Sequence, residues 1–223
     1  SHMADYILEN VPGAEIYGIK RWRSRDENIS HLINNERVTF IEADLTDRGS
    51  LNRAIRISKP DCVYHFAAQS FPGASFKSPV MTLNTNIIGT TNLLEEIKIS
   101  RDDGICDRNI DSVSSSEGYG LAKEDEIPIN EDNRIRAANP YSISKVGHDL
   151  MSQYYHKAFG LKVVITRMFS HEGSRRGKEF AVSSFANQIA TIEKNRENGL
   201  EAPYVISVGN LDSVRTYTHI EDA

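Results

Sequence analysis

The amino-acid sequence predicts an α/β protein with a doubly wound parallel sheet. Short segments rich in β-branched residues alternate with longer segments whose apolar residues recur every three to four positions. This alternation is typical of parallel strands that are joined by right-handed helical crossovers. At 223 residues, of which 39% are hydrophobic and 26% charged, the chain is long enough for one large domain of this class.

The chain begins with a helical tail at residues 4–10, which Pro12 and Gly13 end. Strands are predicted where β-branched and aromatic residues cluster: 14–20, 38–43, 61–67, 110–113, 161–167 and 204–208, with a short extended piece at 214–217. Helices are predicted where the apolar period is 3.6 residues: 28–34, 47–58, 79–100, a helix that starts at Pro140, and 180–195.

Composition and charge argue against several classes of function. The formal net charge is −5 and basic residues are scattered, so nucleic acid is not an expected partner. No apolar run approaches the roughly 20 residues that span a bilayer, so no membrane association is expected. Cys62 and Cys106 form no metal-ligand pattern, which indicates a reducing cytoplasm, and Cys62 is predicted to be buried. We interpret residues 1–3 as the remnant of a removed tag.

The segment from residue 112 to residue 145 carries the candidate chemistry. The fourth predicted strand leads into Ser115 and Glu117, at the edge where doubly wound sheets present ligands. Tyr141 and Lys145 stand one turn apart on the next helix. An ammonium beside a phenol favours the phenolate and lowers the tyrosine pKa, so the pair is suited to proton transfer. Such a pair also decorates ordinary helices by chance, and its combination with the strand end is what indicates a catalytic site.

Several segments resemble one family of nucleotide-sugar enzymes. They cover residues 18–24, 43–47, 64–70, 115–117, 141–145, 171–177 and 208–215. Together they resemble the extended short-chain dehydrogenase/reductase family and, within it, the GDP-mannose 4,6-dehydratases, over nearly all of residues 4–223. The stretch 175–177 is closer to the dehydratases than to the related GDP-4-keto-6-deoxymannose reductases. The resemblance implies a truncated Rossmann-like nucleotide-binding domain at residues 4–170 and part of a sugar-nucleotide region at 171–223.

The resemblance implies NADP-dependent conversion of GDP-mannose to GDP-4-keto-6-deoxymannose by a cytoplasmic homo-oligomer, a dimer or tetramer. Tyr141 would take the proton of the sugar C4 hydroxyl, and Ser115 would hydrogen-bond the C4 oxygen. Glu117 would remove the C5 proton and help expel the C6 hydroxyl as water. Lys145 would orient the nicotinamide ribose and keep the Tyr141 pKa low. A simple reductase needs only the serine, tyrosine and lysine, so Glu117 favours dehydration.

Other positions match those that hold cofactor and substrate in this family. Arg21 and Arg23 would grip the 2′-phosphate of NADP; a subunit contact and a solvated basic loop are the alternatives. The remaining cofactor positions are Asp44, Leu45, Ala67, Ala68, Gln69, Ser70, Tyr141, Lys145, His171 and Arg176. The substrate positions are Ser115, Ser170 and Arg215. A guanidinium is a natural bidentate partner for a diphosphate, which suits Arg215, whereas His171 has a purely structural alternative.

The sequence also departs from the family pattern. Ser170 stands where the family has asparagine, and Asn109 and Asp111 put polar groups into a strand that should be buried. The sequence contains no G-x-G-x-x-G turn near its start, so we expect the strand and turn that carry it to be missing, and likewise the C-terminal segment that completes the sugar-nucleotide pocket. Two central sheet edges would then be unpaired or forced together, and exposed edges recruit other chains.

From this we expect a truncated family member that binds NADP weakly or not at all and self-associates, which micromolar NADPH binding would contradict. Two other functions stay open. One is a GDP-4-keto-6-deoxymannose reductase or another NAD(P)-dependent sugar-nucleotide epimerase or dehydratase. The other is a non-catalytic relative that acts as a binding or oligomerisation subunit, which the missing glycine turn and the polar fourth strand favour.

Overall fold

The computed structural model describes residues 1–107, 109–200 and 204–223. By its contacts the chain divides into two units, Ser1–Met168 and Phe169–Ala223, and each is described by itself. Every strand pair among the described residues is parallel. This agrees with the predicted class, an α/β protein built on parallel strands.

The strands of the first unit form two separate parallel ladders. In the first, β1 (Ile16–Lys20) pairs with β2 (Val38–Glu42). In the second, β4 (Asn109–Val113) lies between β3 (Cys62–His65) and β5 (Lys162–Thr166). Among the described residues no ladder hydrogen bonds join β1 to β3. Of the two alternatives for the central edges, the unpaired one is therefore observed.

The helices of the first unit include those predicted at 47–58, at 79–100 and from Pro140, together with α3, which was not predicted. They are α1 (His2–Asn10), α2 (Arg48–Ser58), α3 (Pro72–Lys77), α4 (Pro79–Leu83), α5 (Gly89–Asp102) and α6 (Pro140–Phe159). A π-helical turn at Asn84–Ile88 joins α4 to α5, so the predicted helix at 79–100 exists but is not regular throughout. The predicted helix at 28–34 is wrong, since only a 3-10 turn forms at Ser30–Leu32. That segment is short and rich in asparagine, serine and histidine, which are poor helix formers.

The apolar core lies between the second ladder and the helices α2, α5 and α6. Its fully buried members include Leu51, Leu94, Ile97 and Ile110. Strand residues alternate between the two faces of a sheet, so Val63 and His65 face inward whereas Cys62 is exposed. The prediction that Cys62 is buried is therefore wrong, because it falls on the other face of β3.

The outer face of the second ladder bears the polar residues that the sequence analysis noted in the fourth strand. Asn109 is exposed, while Asp111 is half-buried between Tyr64 of β3 and Val164 of β5. One carboxylate oxygen of Asp111 is buried with no hydrogen-bond partner among the described residues. Burial raises the pKa of this carboxyl group.

The second unit contains one long helix and a short parallel ladder. The helix is α7 (Ala181–Glu197), and the ladder pairs β6 (Ser170–Glu172) with β7 (Tyr217–His219). The predicted strand at 204–208 is wrong, and the predicted extended piece at 214–217 begins only at its last residue. Within this segment Ser207 bonds to a side chain and not to a neighbouring strand. Its N–H donates to the Gln188 Oε1 at 2.8 Å, and its carbonyl accepts from the Gln188 Nε2 at 3.0 Å. Among the described residues, no helix combines the length and the apolar character that crossing a membrane requires.

Candidate active site

The end of β4 leads into a 3-10 turn, Ser116–Tyr119, that positions Ser115 and Glu117. Ser115 caps this turn, since its Oγ accepts a hydrogen bond from the Glu117 backbone N–H at 3.2 Å. The Ser116 N–H donates to the Met168 carbonyl at 3.0 Å, which ties the turn to the end of β5. A capping hydroxyl acts as an acceptor, so the Ser115 proton can be donated to a ligand oxygen. Both Ser115 and Glu117 are half-buried.

A capping box fixes the start of α6, the helix that carries Tyr141 and Lys145. The Asn139 side chain accepts from the Ser142 N–H at 2.8 Å, and the Ser142 Oγ accepts from the Asn139 N–H at 3.0 Å. Pro140 occupies the first turn, where its missing N–H is not needed. The two candidate residues are four positions apart on this helix, as predicted, and Tyr141 is half-buried.

Lys145 extends from α6 to the end of β4. Its side chain is buried, and Nζ donates a short hydrogen bond to the Val113 carbonyl. In return, the Ser114 Oγ donates to the Lys145 carbonyl at 3.1 Å. Burial lowers the pKa of Lys145 to about 8, although the nearby Asp149 carboxylate opposes the shift. The ammonium is therefore held at the end of β4. The turn capped by Ser115 follows this strand end directly along the chain.

An ion pair between half-buried Arg167 and buried Asp149 lies beside this strand end, together with a small cavity. The Arg167 Nε donates to Asp149 at 2.7 Å, and its Nη1 donates to the Tyr119 hydroxyl at 3.1 Å. The cavity measures about 10 Å³ and is lined by Ser114, Ser115, Gly118, Tyr119, Ile135, Val146, Asp149 and Arg167. That volume is about enough for one water and far below the several hundred Å³ of a ligand site. The cavity therefore belongs to the packing of the site and is not its substrate pocket.

The predicted adenosine-contacting residues lie at the ends of β1 and β2. Arg21 and Arg23 are exposed, and the Arg23 guanidinium lies 4.2 Å from the centre of the Trp22 ring. Asp44 accepts from the backbone and hydroxyl of Thr46, and these hydrogen bonds lower its pKa, with a smaller contribution from the charge of Arg21. Leu45 follows, and its carbonyl accepts from the side chain of Asn92 at 2.9 Å.

The predicted cofactor loop after β3 is fixed by a side chain that the sequence analysis missed. Ala67 and Ser70 are exposed, whereas Ala68 and Gln69 are half-buried. The Gln69 N–H donates to Asn86 at 2.7 Å, and the Asn86 amide donates back to the Gln69 carbonyl at 2.9 Å. Asn86 is fully buried in the π-helical turn. An asparagine among the regularly spaced apolar residues of the predicted helix at 79–100 is a sequence signal for such a buried polar contact.

The remaining predicted residues lie in the second unit. Ser170 and His171 belong to β6 and are half-buried. Arg176 stacks on the ring of Phe180 at 3.5 Å, and its Nε lies 3.8 Å from Glu172. Arg215 precedes β7 and is exposed. All four of these residues belong to the second unit.

Known proteins of similar sequence carry one recurring description. A family model described as GDP-mannose 4,6 dehydratase matches residues 1–223. The GDP-mannose 4,6-dehydratase of Vibrio cholerae serotype O1 is 33% identical over 230 residues, which cover 100% of this chain and 58% of that protein. The GDP-6-deoxy-D-mannose reductase of Pseudomonas aeruginosa is 31% identical over 73% of this chain and 51% of its own length.

Two solved structures illustrate the similarity in fold. DesIV, a dTDP-glucose 4,6-dehydratase from Streptomyces venezuelae with NAD bound, superimposes with a TM-score of 0.81 at 27% identity, over 99% of this chain and 65% of that chain. RMD from Pseudomonas aeruginosa, complexed with NADPH, superimposes with a TM-score of 0.74 at 25% identity, over 94% of this chain and 69% of that chain. These likenesses confirm the predicted fold class.

The chain spans 58% of the length of the Vibrio cholerae dehydratase and the same share of the one from Yersinia enterocolitica, which is 31% identical. The family model nevertheless matches over residues 1–223, and both dehydratases align with 100% of this chain. The chain therefore belongs to the GDP-mannose 4,6-dehydratase family.

Proposed function

We propose that the chain provides the catalytic residues of an NADP-dependent GDP-mannose 4,6-dehydratase. Residues 4–170 would bind the cofactor, and residues 171–223 would contribute to the GDP-sugar site. One observation carries the proposal: a buried lysine ammonium is bonded to the end of β4, where Ser115 and Glu117 follow, and Tyr141 precedes that lysine by one helical turn. Side chains at a strand's carboxyl end are where doubly wound sheets carry out chemistry.

The residues divide the reaction among themselves. Tyr141 takes the proton of the C4 hydroxyl. The Ser115 hydroxyl, whose proton its capping role does not use, donates a hydrogen bond to the C4 oxygen. A bound nicotinamide would supply the hydride acceptor and donor that exchange of hydride with C4 and C6 of the sugar requires. The 4-ketone acidifies the C5 proton, which Glu117 removes and passes to the departing C6 hydroxyl, so that the hydroxyl leaves as water and a C5–C6 double bond remains. A proton from solvent then restores C5 when the hydride reaches C6.

The residues at the strand ends fit a nicotinamide dinucleotide in part. Lys145 uses one of its three ammonium protons on the Val113 carbonyl, which leaves donors for a ribose hydroxyl. The exposed guanidinium groups of Arg21 and Arg23 suit a 2′-phosphate, which favours NADP over NAD. Among the similar structures, DesIV holds NAD and RMD holds NADPH, so both cofactors occur in related folds.

A product assay tests the proposal. GDP-mannose is incubated with the protein at millimolar NADP, a concentration chosen because the sequence contains no glycine-rich turn for the pyrophosphate. Mass spectrometry should detect a GDP-sugar that is lighter by one water. Glu117→Gln should stop water loss, and Tyr141→Phe should also stop the first oxidation. Unchanged GDP-mannose, with folded protein, would refute dehydration.

Two further outcomes separate the alternatives. Oxidation of NADPH by a GDP-4-keto-6-deoxy sugar, without water loss from GDP-mannose, would identify a reductase. The similarity to the reductase of Pseudomonas aeruginosa is the reason to test this alternative. Inactivity together with co-assembly with a full-length homologue identifies a binding or oligomerisation subunit. A cytoplasmic homo-oligomer is also part of the proposal. The two free cysteines support a reducing compartment. Self-association is supported by β1 and β3, each of which leaves one edge without a ladder partner among the described residues.

A further inference from the structure

Behind Lys145, α6 carries a histidine that the proposed chemistry does not use. His148 is fully buried one turn further along the helix. Its Nε2 lies 2.6 Å from the Ser112 Oγ on β4, and its Nδ1 lies 3.1 Å from the Thr90 Oγ1 on α5. Ser152, on the next turn of α6, lies 2.8 Å from the same Ser112 hydroxyl. One imidazole thus connects a strand and two helices through fully buried groups.

The single hydroxyl proton of Thr90 determines which groups in this network donate and which accept. Thr90 Oγ1 lies 2.7 Å from the Asn86 carbonyl, which can only accept, so the single hydroxyl proton points there. Thr90 must then accept from His65 Nε2 at 2.8 Å and from His148 Nδ1. The remaining nitrogen of His148, Nε2, therefore accepts from the Ser112 hydroxyl. Both nitrogens of this neutral imidazole are satisfied by protein groups.

The network connects two parts of the proposed site. At one end Ser112 directly precedes Val113, whose carbonyl holds the Lys145 ammonium. At the other end Thr90 bonds to the backbone of Asn86, whose side chain brackets the Gln69 backbone with two hydrogen bonds. The candidate catalytic lysine and the candidate cofactor loop therefore share one buried support.

We propose that His148 is a positioning residue that locks β4 against α5 and α6, and so fixes the Lys145 ammonium relative to the Gln69 loop. This inference rests on the proposed function, which assigns catalysis to Lys145 and cofactor binding to the Gln69 loop. The His148 imidazole stacks on the His65 imidazole, with 5.0 Å between ring centroids and 7° between ring planes, so the His148 ring has little freedom to turn. Burial and the Lys145 charge lower the pKa of His148 to about 2 and that of His65 to about 3, so both rings stay neutral.

Competitive acylation of lysines, followed by peptide mass spectrometry across a pH series, tests this without any activity measurement. The charged and titratable groups that act on Lys145 are Asp149 on α6, His148 itself and His65 on β3. Exposed Lys162 serves as the internal reference. In the wild-type chain Lys145 should react slowly, with an apparent pKa near 8.

His148→Leu removes both hydrogen bonds of the imidazole and should raise the acylation rate of Lys145 by about tenfold relative to Lys162, which corresponds to about 1.4 kcal/mol. His148→Asn, which keeps a donor and an acceptor, should restore part of the protection. Tyr155→Phe is the matched control, since it removes one hydrogen bond of α6, to Glu95, outside the network. It should leave Lys145 unchanged.

Unchanged Lys145 labelling in a folded His148→Leu protein would overturn the proposal, as would equal effects of His148→Leu and Tyr155→Phe. If His148→Leu does not fold, Ser112→Ala takes its place, because it removes the strand side of the same contact. A second arm adds millimolar NADPH to the wild-type chain. Failure of NADPH to protect Lys145 would count against the proposed function, while the effect of His148 without NADPH would still stand.

Discussion

Replacing Gly120 by alanine should destabilise the loop that follows the candidate catalytic turn. Gly120 has φ +61° and ψ −139°, a conformation that side chains rarely allow. A Cβ at this position would also overlap the Arg136 carbonyl oxygen. Arg136 cannot simply retreat, because its N–H donates to the Gly118 carbonyl at 2.9 Å. The backbone of the turn must therefore move.

The magnitude follows from two costs. The backbone conformation costs about 1–3 kcal/mol for a non-glycine residue, and relieving the overlap adds the loss of a backbone hydrogen bond, about 1 kcal/mol. Gly104→Ala is the first control, since Gly104 has φ +73° with open space around it, and should cost about 1–2 kcal/mol. Gly209→Ala has neither feature and should stay within about 0.5 kcal/mol of the wild type.

Urea unfolding followed by far-UV circular dichroism measures all three. At a slope of roughly 2 kcal/mol per molar urea, each kcal/mol moves the midpoint by about 0.5 M. The expected order of destabilisation is Gly120→Ala, then Gly104→Ala, then Gly209→Ala. Should Gly120→Ala be no more destabilising than Gly104→Ala, the close approach of residues 120 and 136 would have no energetic weight, and this prediction would be refuted.

Three more changes test the electrostatics around the site. The folded chain releases the Lys145 proton near pH 8 but the unfolded chain only near 10.5, so Lys145 should add about 3 kcal/mol of stability between these pH values. In urea titrations at several pH values the wild-type chain should gain this amount relative to Lys145→Met. Arg167→Met removes the ion-pair partner of the buried Asp149 carboxylate, which keeps the Gln153 side chain as a hydrogen-bond donor, and should cost about 1–3 kcal/mol in urea unfolding. The double variant with Asp149→Leu should recover most of this loss if the two residues matter as a pair. Asp111→Val removes a buried oxygen without a partner among the described residues and should stabilise the protein at pH 7 by about 1–2 kcal/mol; a loss of stability in thermal unfolding would contradict this.

The parts of the fold that the sequence predicted are those that depend on local pattern. The alternation of β-branched and helical segments predicted β1 to β5 to within about two residues of their observed ends. The start of α6 was readable because Asn139 and Pro140 are strong local signals for a helix N-terminus. The positions of Ser115 and Lys145 at the end of β4 follow from that same order of elements.

The parts that were missed depend on contacts between distant residues. Residues 204–208 look like a strand, but the Gln188 side chain takes the backbone groups of Ser207. The prediction for Cys62 was wrong because a continuous apolar run does not show which face of the sheet each of its residues occupies. The roles of Asn86 and His148 arise from partners that are 17 to 58 positions away in the chain, which no local spacing reveals.

The most direct measurement is conversion of GDP-mannose in deuterium oxide in the presence of NADP, with the product analysed by NMR and mass spectrometry. The proposed roles predict a GDP-4-keto-6-deoxy sugar with one solvent deuterium at C5, because Glu117 removes the original C5 proton before the solvent restores one. The Glu117→Gln variant should form no such product. A 6-deoxy product that keeps its original C5 proton, or deuterium uptake that Glu117→Gln leaves unchanged, would contradict the assignment of this carboxylate and with it the proposed dehydration.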